Sequence, residues 1–290
     1  MVLIRKLLKP TNDYVFKRIF GYVGNEEITK GLLNAIIDGA NIKEVKLDCK
    51  EILEQDLKTD KFGILDIRAV LDNSIQCNIE MQIIDRKDIE NRLLFYWSKL
   101  YSKSINLGED YITAQKTIII LFADYEITGL EKIHKYFSKW HICEDECKNV
   151  ILTKNFEIYI IELPKFEKYS NESELSSWVK FIINPEVIKM SEVKKNESLK
   201  KAHEVLNEIS DDEREEELAF QRLMYIMDKK AIEAAGFDKG EKVGIEKGIK
   251  QGVKRNTLKI AKELLGENID ISIIAKVTNL PKEEIEKLKD

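Results

Sequence analysis

The strongest constraint on this chain is an alternation of apolar and polar residues on both sides of Asp72, Asn73 and Ser74. Before this point Leu65, Ile67, Ala69 and Leu71 are apolar, and Asp66 and Arg68 are polar. After it Ile75, Cys77, Ile79, Met81 and Ile83 are apolar, and Gln76, Asn78, Glu80 and Gln82 are polar. Period-two alternation around an Asp-Asn-Ser turn predicts a β-hairpin with one apolar and one polar face. Residues opposed across an antiparallel ladder point to the same face, so odd positions must meet odd ones. A loop of residues 72–74 then sets Leu71 against Ile75, and it sets the carboxylates of Asp66 and Glu80 against each other. Like charges directly opposite, with Cβ atoms about 5 Å apart, destabilise a bare hairpin. A bound divalent cation turns that repulsion into attraction, and oxygen ligands on adjacent strands with water completing the shell suit Mg²⁺. The alternative is a plain solvent-facing surface on which Arg68 neutralises either acid, since 34% of the chain is charged.

At 290 residues the chain is long enough for a full hydrophobic core and one or two domains. Its 43% hydrophobic content is that of an ordinary globular protein. No run approaches the ~18 apolar residues that mark a membrane span. The opening residues carry Arg5 and Lys6 inside their apolar stretch and have no small-residue cleavage site, so no signal peptide is expected. The cysteines at 49, 77, 143 and 147 then read as reduced thiols of a cytoplasmic protein. His141, Cys143 and Cys147 lack a fourth ligand and the pairwise spacing of a zinc site, and read as ordinary residues. The net charge of −5 counts against a chain coated in positive charge for nucleic acid, although local patches matter more than the total.

Along the chain, Thr11-Asn12-Asp13 caps a short helix that stops at Gly21 and carries Asp13 and Lys17 on one face. A second helix runs from Asn25 to about Ile37. Residues 41–62 suggest a strand or two, and residues 59–63 a turn into the hairpin. A helix is expected from Asp88 to about Leu107, with an apolar face at Leu93, Trp97 and Leu100. A second stripe, Arg92, Tyr96, Lys99 and Lys103, could follow a phosphate backbone or simply face solvent. The run from Thr117 to Ala123 predicts a strand buried on both faces, and a strand following a helix implies a crossover in a mixed α/β sheet. A short helix near Glu131–Phe137 and strands near Trp140–Cys143 and Glu157–Leu163 come next. From Ser173 onward the pattern is helical, and the acids at 211–217 suit the first turn of a helix. Gly236, Gly240, Gly244, Gly248 and Gly252 then recur every fourth residue. Each glycine costs a helix about 0.8–1 kcal/mol, so this stretch reads as a marginal helix or hinge, a connector able to pair closely with another helix. Two short helices, capped by Asp270 and opened near Pro281, end the chain as a packing hairpin or, less simply, a helix-turn-helix reader.

The stretch from Thr11 to Gly21 resembles the opening motif of the recombination-promoting nuclease (Rpn) and putative transposase family. Leu65-Asp66 followed by Ile79-Glu80-Met81-Gln82 is similar to that family's version of the PD-(D/E)XK nuclease signature. Ile161-Glu162-Leu163-Pro164-Lys165-Phe166 and the glycine repeat with its two-helix tail extend the resemblance over nearly the whole chain. The resemblance implies a restriction-endonuclease-like α/β core, a mixed sheet flanked by helices, with a helical C-terminal region. The expected division is a nuclease-like core over 1–166, a helical region over 167–235, and a connector with a helical hairpin over 236–290. The implied activity is Mg²⁺- or Mn²⁺-dependent cleavage of DNA, in recombination, mobile-element or phage-conflict biology. The name carries no expectation of strand transfer.

By the same resemblance Asp66 and Glu80 hold the metal, with the carbonyl of Met81 as a third ligand. Gln82 stands where the signature usually has lysine; it can orient a water but cannot supply charge. Lys17 is the candidate for the missing cation, and Asp13 is either a third acid or a cap and partner of Lys17. Arg92, Tyr96 and Lys99 are the candidates for phosphate contact. The departure at position 82 and the acidic balance motivate an alternative, a nuclease-fold protein without catalysis that binds DNA or protein. A homo-oligomer formed through the C-terminal helices is a further expectation.

Overall fold

The computed structural model describes residues 6–48, 66–85, 87–188, 193 and 195–288. The expected turn at 59–63, the strand candidates at 49–62, and Ile64 and Leu65 lie outside the described residues. The chain divides into two compact units, residues 1–227 and 228–290.

The first unit is built on a mixed six-stranded sheet in the order β1-β2-β3-β4-β6-β5. Its strands are β1 Val45–Asp48, β2 Ile67–Leu71, β3 Ile75–Gln82, β4 Lys116–Ala123, β5 Phe137–Trp140 and β6 Phe156–Glu162. β1, β2 and β3 form an antiparallel meander, β3, β4 and β6 run parallel, and β5 closes the far edge antiparallel to β6. The hairpin has the expected register, from Ile67 opposite Ile79 to Leu71 opposite Ile75. Its turn places Asp72 and Asn73 at φ of 48° and 59°, where short polar side chains are tolerated, and the Ser74 amide donates to the Leu71 carbonyl at 3.0 Å. The Asp72 carboxylate accepts from the amides of Lys43 and Glu44, both at 2.9 Å, which fastens β1 beside the hairpin.

Alternation decides what each face of the sheet covers. The odd residues of the hairpin, with Ile118, Ile120 and Phe122 of β4, pack against α1 Asp13–Phe20, α2 Glu26–Ile36, α5 Glu174–Ile183 and α6 Glu197–Asp211. The approach of α2 to its neighbours requires a glycine: a Cβ on Gly31 would lie 2.7 Å from Ser198 Oγ and 3.1 Å from Trp178 Cζ2. On the other face Ile119, Leu121 and Ala123 pack with Phe156, Ile158 and Ile160 against Ile89, Leu93 and Tyr96 of α3 Ile89–Lys103. β4 is therefore buried on both faces, as its apolar run requires. α3 makes the crossover from β3 to the parallel β4.

Residues 131–136 are turns and bends rather than the expected helix, and Phe137 already belongs to β5. The cause is a buried ion pair in the stretch Ile161–Phe166. Lys165 Nζ bonds Glu162 Oε2 at 2.8 Å and also donates to the carbonyls of Leu130 (2.9 Å) and Ile133 (3.3 Å). Glu162 Oε1 accepts the Ile127 amide at 2.8 Å. These side chains brace the segment as a run of turns, in which the Leu130 carbonyl accepts from the Ile133 amide at 3.0 Å as well as from Lys165. Pro164 falls in a 3-10 turn, Leu163–Lys165, that leads into α4 Phe166–Tyr169.

The glycine repeat takes the helical form of the two expected. It lies inside one helix, α7 Glu213–Gly266, and not at a hinge. The intervening lysines, glutamates and isoleucines favour helix, and Glu246 pairs with Lys250 at i,i+4 (2.6 Å). An added Cβ would meet nothing within 4 Å at any repeat glycine. Gly244→Ala and Gly248→Ala are therefore expected to strengthen the helix by about 0.8–1 kcal/mol each. Circular dichroism during thermal melting checks this, and an earlier loss of helicity in the variants contradicts it. In the second unit Ala261, Ile274 and Ile285 form a small core that joins the end of α7 to α8 Ile271–Thr278 and α9 Lys282–Glu286. The Asp270 carboxylate caps α8 through the Ser272 amide at 2.8 Å.

Candidate active site

The polar face of the hairpin carries a row of side chains: Gln76, Asn78, Glu80 and Gln82 on β3, with Arg68 opposite Asn78. Continued by one residue, the register sets Asp66 opposite Glu80. Both acids are buried, at 8% and 3% exposure. Burial pushes the Asp66 carboxyl up to about 6; Arg92, Arg68 and Lys17 pull against that rise, and Asp13 adds to it. Four charged groups that the sequence scatters over residues 13–92, Asp13, Lys17, Arg68 and Arg92, therefore act on one carboxylate.

Arg92 reaches Glu80 from α3. Its Nε and Nη2 donate to Glu80 Oε1 at 3.0 and 2.6 Å, and its guanidinium lies 4.6 Å from the centre of the Tyr96 ring. Ile89 and Leu93 anchor this turn of α3 in the core, and Trp97 Nε1 fixes the next by donating to the Thr117 carbonyl at 3.1 Å. Arg92 and Tyr96 are thus together at the acid pair, with the guanidinium on a carboxylate. Lys99 is exposed and belongs to a neighbouring hollow with Arg68, Asn78, Tyr96, Leu100 and Lys103.

The other charged groups come from α1. Asn12 caps it, accepting the amides of Tyr14 and Val15 at 3.0 and 3.4 Å. Asp13 and Lys17, one turn apart, are buried at 7% and 3% exposure. Asp13 accepts the Tyr14 amide at 3.0 Å, and its carboxylate is clamped by Arg222 of α7: Nε at 2.9 and 3.1 Å, Nη2 at 2.7 Å. Nearby Glu215 binds Arg18 Nη2 at 2.8 Å and the Tyr14 hydroxyl at 2.7 Å. Burial, and then the bond to Glu215, push the Tyr14 phenol upward. The acidic stretch therefore has a specific partner in α1 beyond complementing a helix dipole.

Arg222 escapes a reading of the sequence because its partner is 209 residues away. The signal the sequence offers is spacing: Ala219, Arg222 and Ile226 fall at i, i+3 and i+7, and the structure buries all three at 5% exposure or less, with the arginine on the apolar stripe.

Gln82 is half-buried and its Nε2 donates to the Ile84 carbonyl at 3.2 Å. The Met81 side chain is in the core at 5% exposure, so its carbonyl is the oxygen it has to offer. Among the described residues no group of three or more His, Cys, Asp or Glu side chains could hold a metal ion. A cation here depends on the two facing carboxylates, completed by main-chain or water oxygens. Acids opposed in this way, one of them raised toward neutrality by its burial, fit a hard divalent cation.

With the order of elements and the facing acids in place, the decisive finding is a match of residues 10–235 to the sequence model of the PD-(D/E)XK nuclease family transposases. The chain belongs to that family. The match takes in the Asn12 cap, both hairpin acids and Arg222, and it ends just before the first repeat glycine. Searches of the curated proteins and of the solved structures each found no match. As a PD-(D/E)XK nuclease family transposase the chain has a restriction-endonuclease-like fold and a nuclease-type function, for which DNA is the implied substrate. Among the described residues no helix is long and apolar enough to cross a membrane.

Proposed function

We propose that this protein is a Mg²⁺- or Mn²⁺-dependent endonuclease that hydrolyses phosphodiester bonds of DNA in the cytoplasm. The observation that carries this reading is the buried pair Asp66 and Glu80, opposed across the hairpin of a chain of this family. When bound, a divalent cation supplies an activated water and neutralises a non-bridging phosphate oxygen. Asp66, Glu80 and the Met81 carbonyl hold the cation. Gln82 orients the water by hydrogen bonding, and Lys17 contributes the positive charge that a lysine at position 82 would have given. Arg92 and Tyr96 stand at the acid pair, where Arg92, which donates to Glu80 at 2.6 Å, would turn to a phosphate oxygen of bound DNA. The domain division at 166 and 235, and self-association through the C-terminal helices, belong to the same proposal; exposed Ile245, Ile249 and Val253, four residues apart, support the latter.

The test is nicking of supercoiled plasmid by the native chain with Mg²⁺, with Mn²⁺ and with EDTA, beside Asp66→Ala and Glu80→Ala. Metal-dependent nicking by the native chain alone is expected. Equal nicking by all three proteins would remove the assigned site. A second reading, a binding protein that keeps the fold without catalysis, is favoured by Gln82 bonding to Ile84 and by Arg92 occupying Glu80. Calorimetry showing no Mn²⁺ uptake that depends on Asp66 and Glu80 would decide for it.

A further inference from the structure

Two residues back along β3 from Glu80, about 7 Å, lies a second feature of the polar face. Asn78 is 2% exposed, and among the described residues its Nδ2 has no hydrogen-bond partner. A buried amide donor without an acceptor is destabilising, and it is uncommon in a folded protein unless something else supplies the acceptor. The amide lines a hollow of about 10 Å³ whose wall includes Arg68, from the opposite strand, and Lys99 and Lys103, one turn apart on α3. Space of that size holds a single water or one oxygen of a larger group. Arg68 also acts on Asp66, so the hollow adjoins the acid pair electrically as well as in register.

We propose that this hollow binds a phosphodiester group of the substrate strand next to the one that is cut, drawing one non-bridging oxygen onto Asn78 Nδ2 beneath Arg68, Lys99 and Lys103. The spacing from Glu80 is close to that between neighbouring phosphates along one strand. The occupied hollow sets which phosphate reaches Asp66 and Glu80, so Asn78 and Arg68 are positioning residues for the reaction. This proposal rests on the nuclease reading for its choice of ligand. Its readout is binding, so the two stand or fall separately.

The experiment uses the full-length chain carrying Asp66→Asn, so that cleavage does not intervene, and a labelled DNA 12-mer titrated by fluorescence anisotropy across a salt series in EDTA. Added Lys99→Ala with Lys103→Ala, both on the surface, is expected to weaken binding about tenfold and to reduce the salt slope by about one. Added Asn78→Leu is expected to weaken binding about tenfold, through loss of a hydrogen bond to a charged group, yet to melt no lower than its parent, because it removes an unmatched donor. A purely structural asparagine would instead lower the melting temperature and leave binding alone. Should Asn78→Leu fold poorly, Asn78→Asp, which keeps the shape and reverses the donor, replaces it. Binding unchanged in either the lysine or the Asn78 variant overturns the hollow, as does a parent that binds no DNA. Plasmid nicking by the native chain then judges the nuclease reading by itself.

Discussion

Asp66→Asn is expected to cut DNA about a thousandfold more slowly and, at pH 8, to be more stable than the native chain. On the proposed function the loss of rate follows from removing one of two side-chain ligands: metal-assisted hydrolysis draws several kcal/mol of stabilisation from the cation, at about 1.4 kcal/mol per tenfold. The gain in stability follows from burial. The Asp66 carboxyl ionises near 3.8 in the open chain but is pushed up to about 6 in the fold. Between those values the unfolded chain binds fewer protons than the folded one. Stability therefore falls as pH rises through that window and stays lower above it. The penalty at neutral pH is of order 3 kcal/mol, and asparagine, the same shape without the charge, relieves it. At pH 3.5, where the acid is mostly protonated in both states, the gain should largely vanish. Mn²⁺ should offset the same penalty in the native chain, raising its melting temperature but not that of the variant. Thermal melts at the two pH values, with and without Mn²⁺, are the measurement; identical melting of the two proteins throughout would refute the account of the site.

Arg222→Ala should be the most destabilising single change in this part of the molecule, by about 3–5 kcal/mol, because it leaves the Asp13 carboxylate buried without its guanidinium. For a unit of this size that corresponds to a fall of about 10 °C in melting temperature. Asp13→Leu together with Arg222→Met should recover most of the loss, since apolar side chains of similar volume replace a buried pair at little cost. Urea unfolding of the single and double variants distinguishes this from lost packing. If the double variant is no better than Arg222→Ala, the charge left behind is not the cause.

What could be read from the sequence was what repeats. The side-chain period of two, with a turn that admits left-handed backbone at Asp72 and Asn73, fixed the pairing of the hairpin and so the meeting of Asp66 with Glu80. The apolar run of β4 and the stripe of α3 were legible for the same reason. Ion pairs between distant segments carry no period. Arg222 with Asp13, Glu215 with Arg18 and the tie from Lys165 to the loop at 130–133 had to be seen in three dimensions. The loop shows the failure in detail. The spacing of Leu130, Ile133 and Phe137 fits a helix, but Lys165 claims two of the carbonyls. For the glycine repeat the sequence leaves helix and hinge both open, and the structure has the helix. Propensity weighs each glycine alone, whereas a helix already nucleated in the packed turns at 213–227 needs only to propagate.

The clasp of Arg222 on Asp13 also bears on how the protein is made. The helix that carries Asp13 and Lys17 leaves the ribosome early, and the arginine that neutralises its buried acid follows 209 residues later. At about 5–20 residues per second, roughly 10–40 s separate them. Until then the N-terminal helix has a carboxylate it cannot comfortably bury. A chain halted or cleaved before residue 222 already contains both hairpin acids but lacks the clamp that settles α1 beside them. On the proposed function, such a fragment is expected to cut DNA poorly although it carries both acids, and plasmid nicking by a chain truncated before residue 222 checks this.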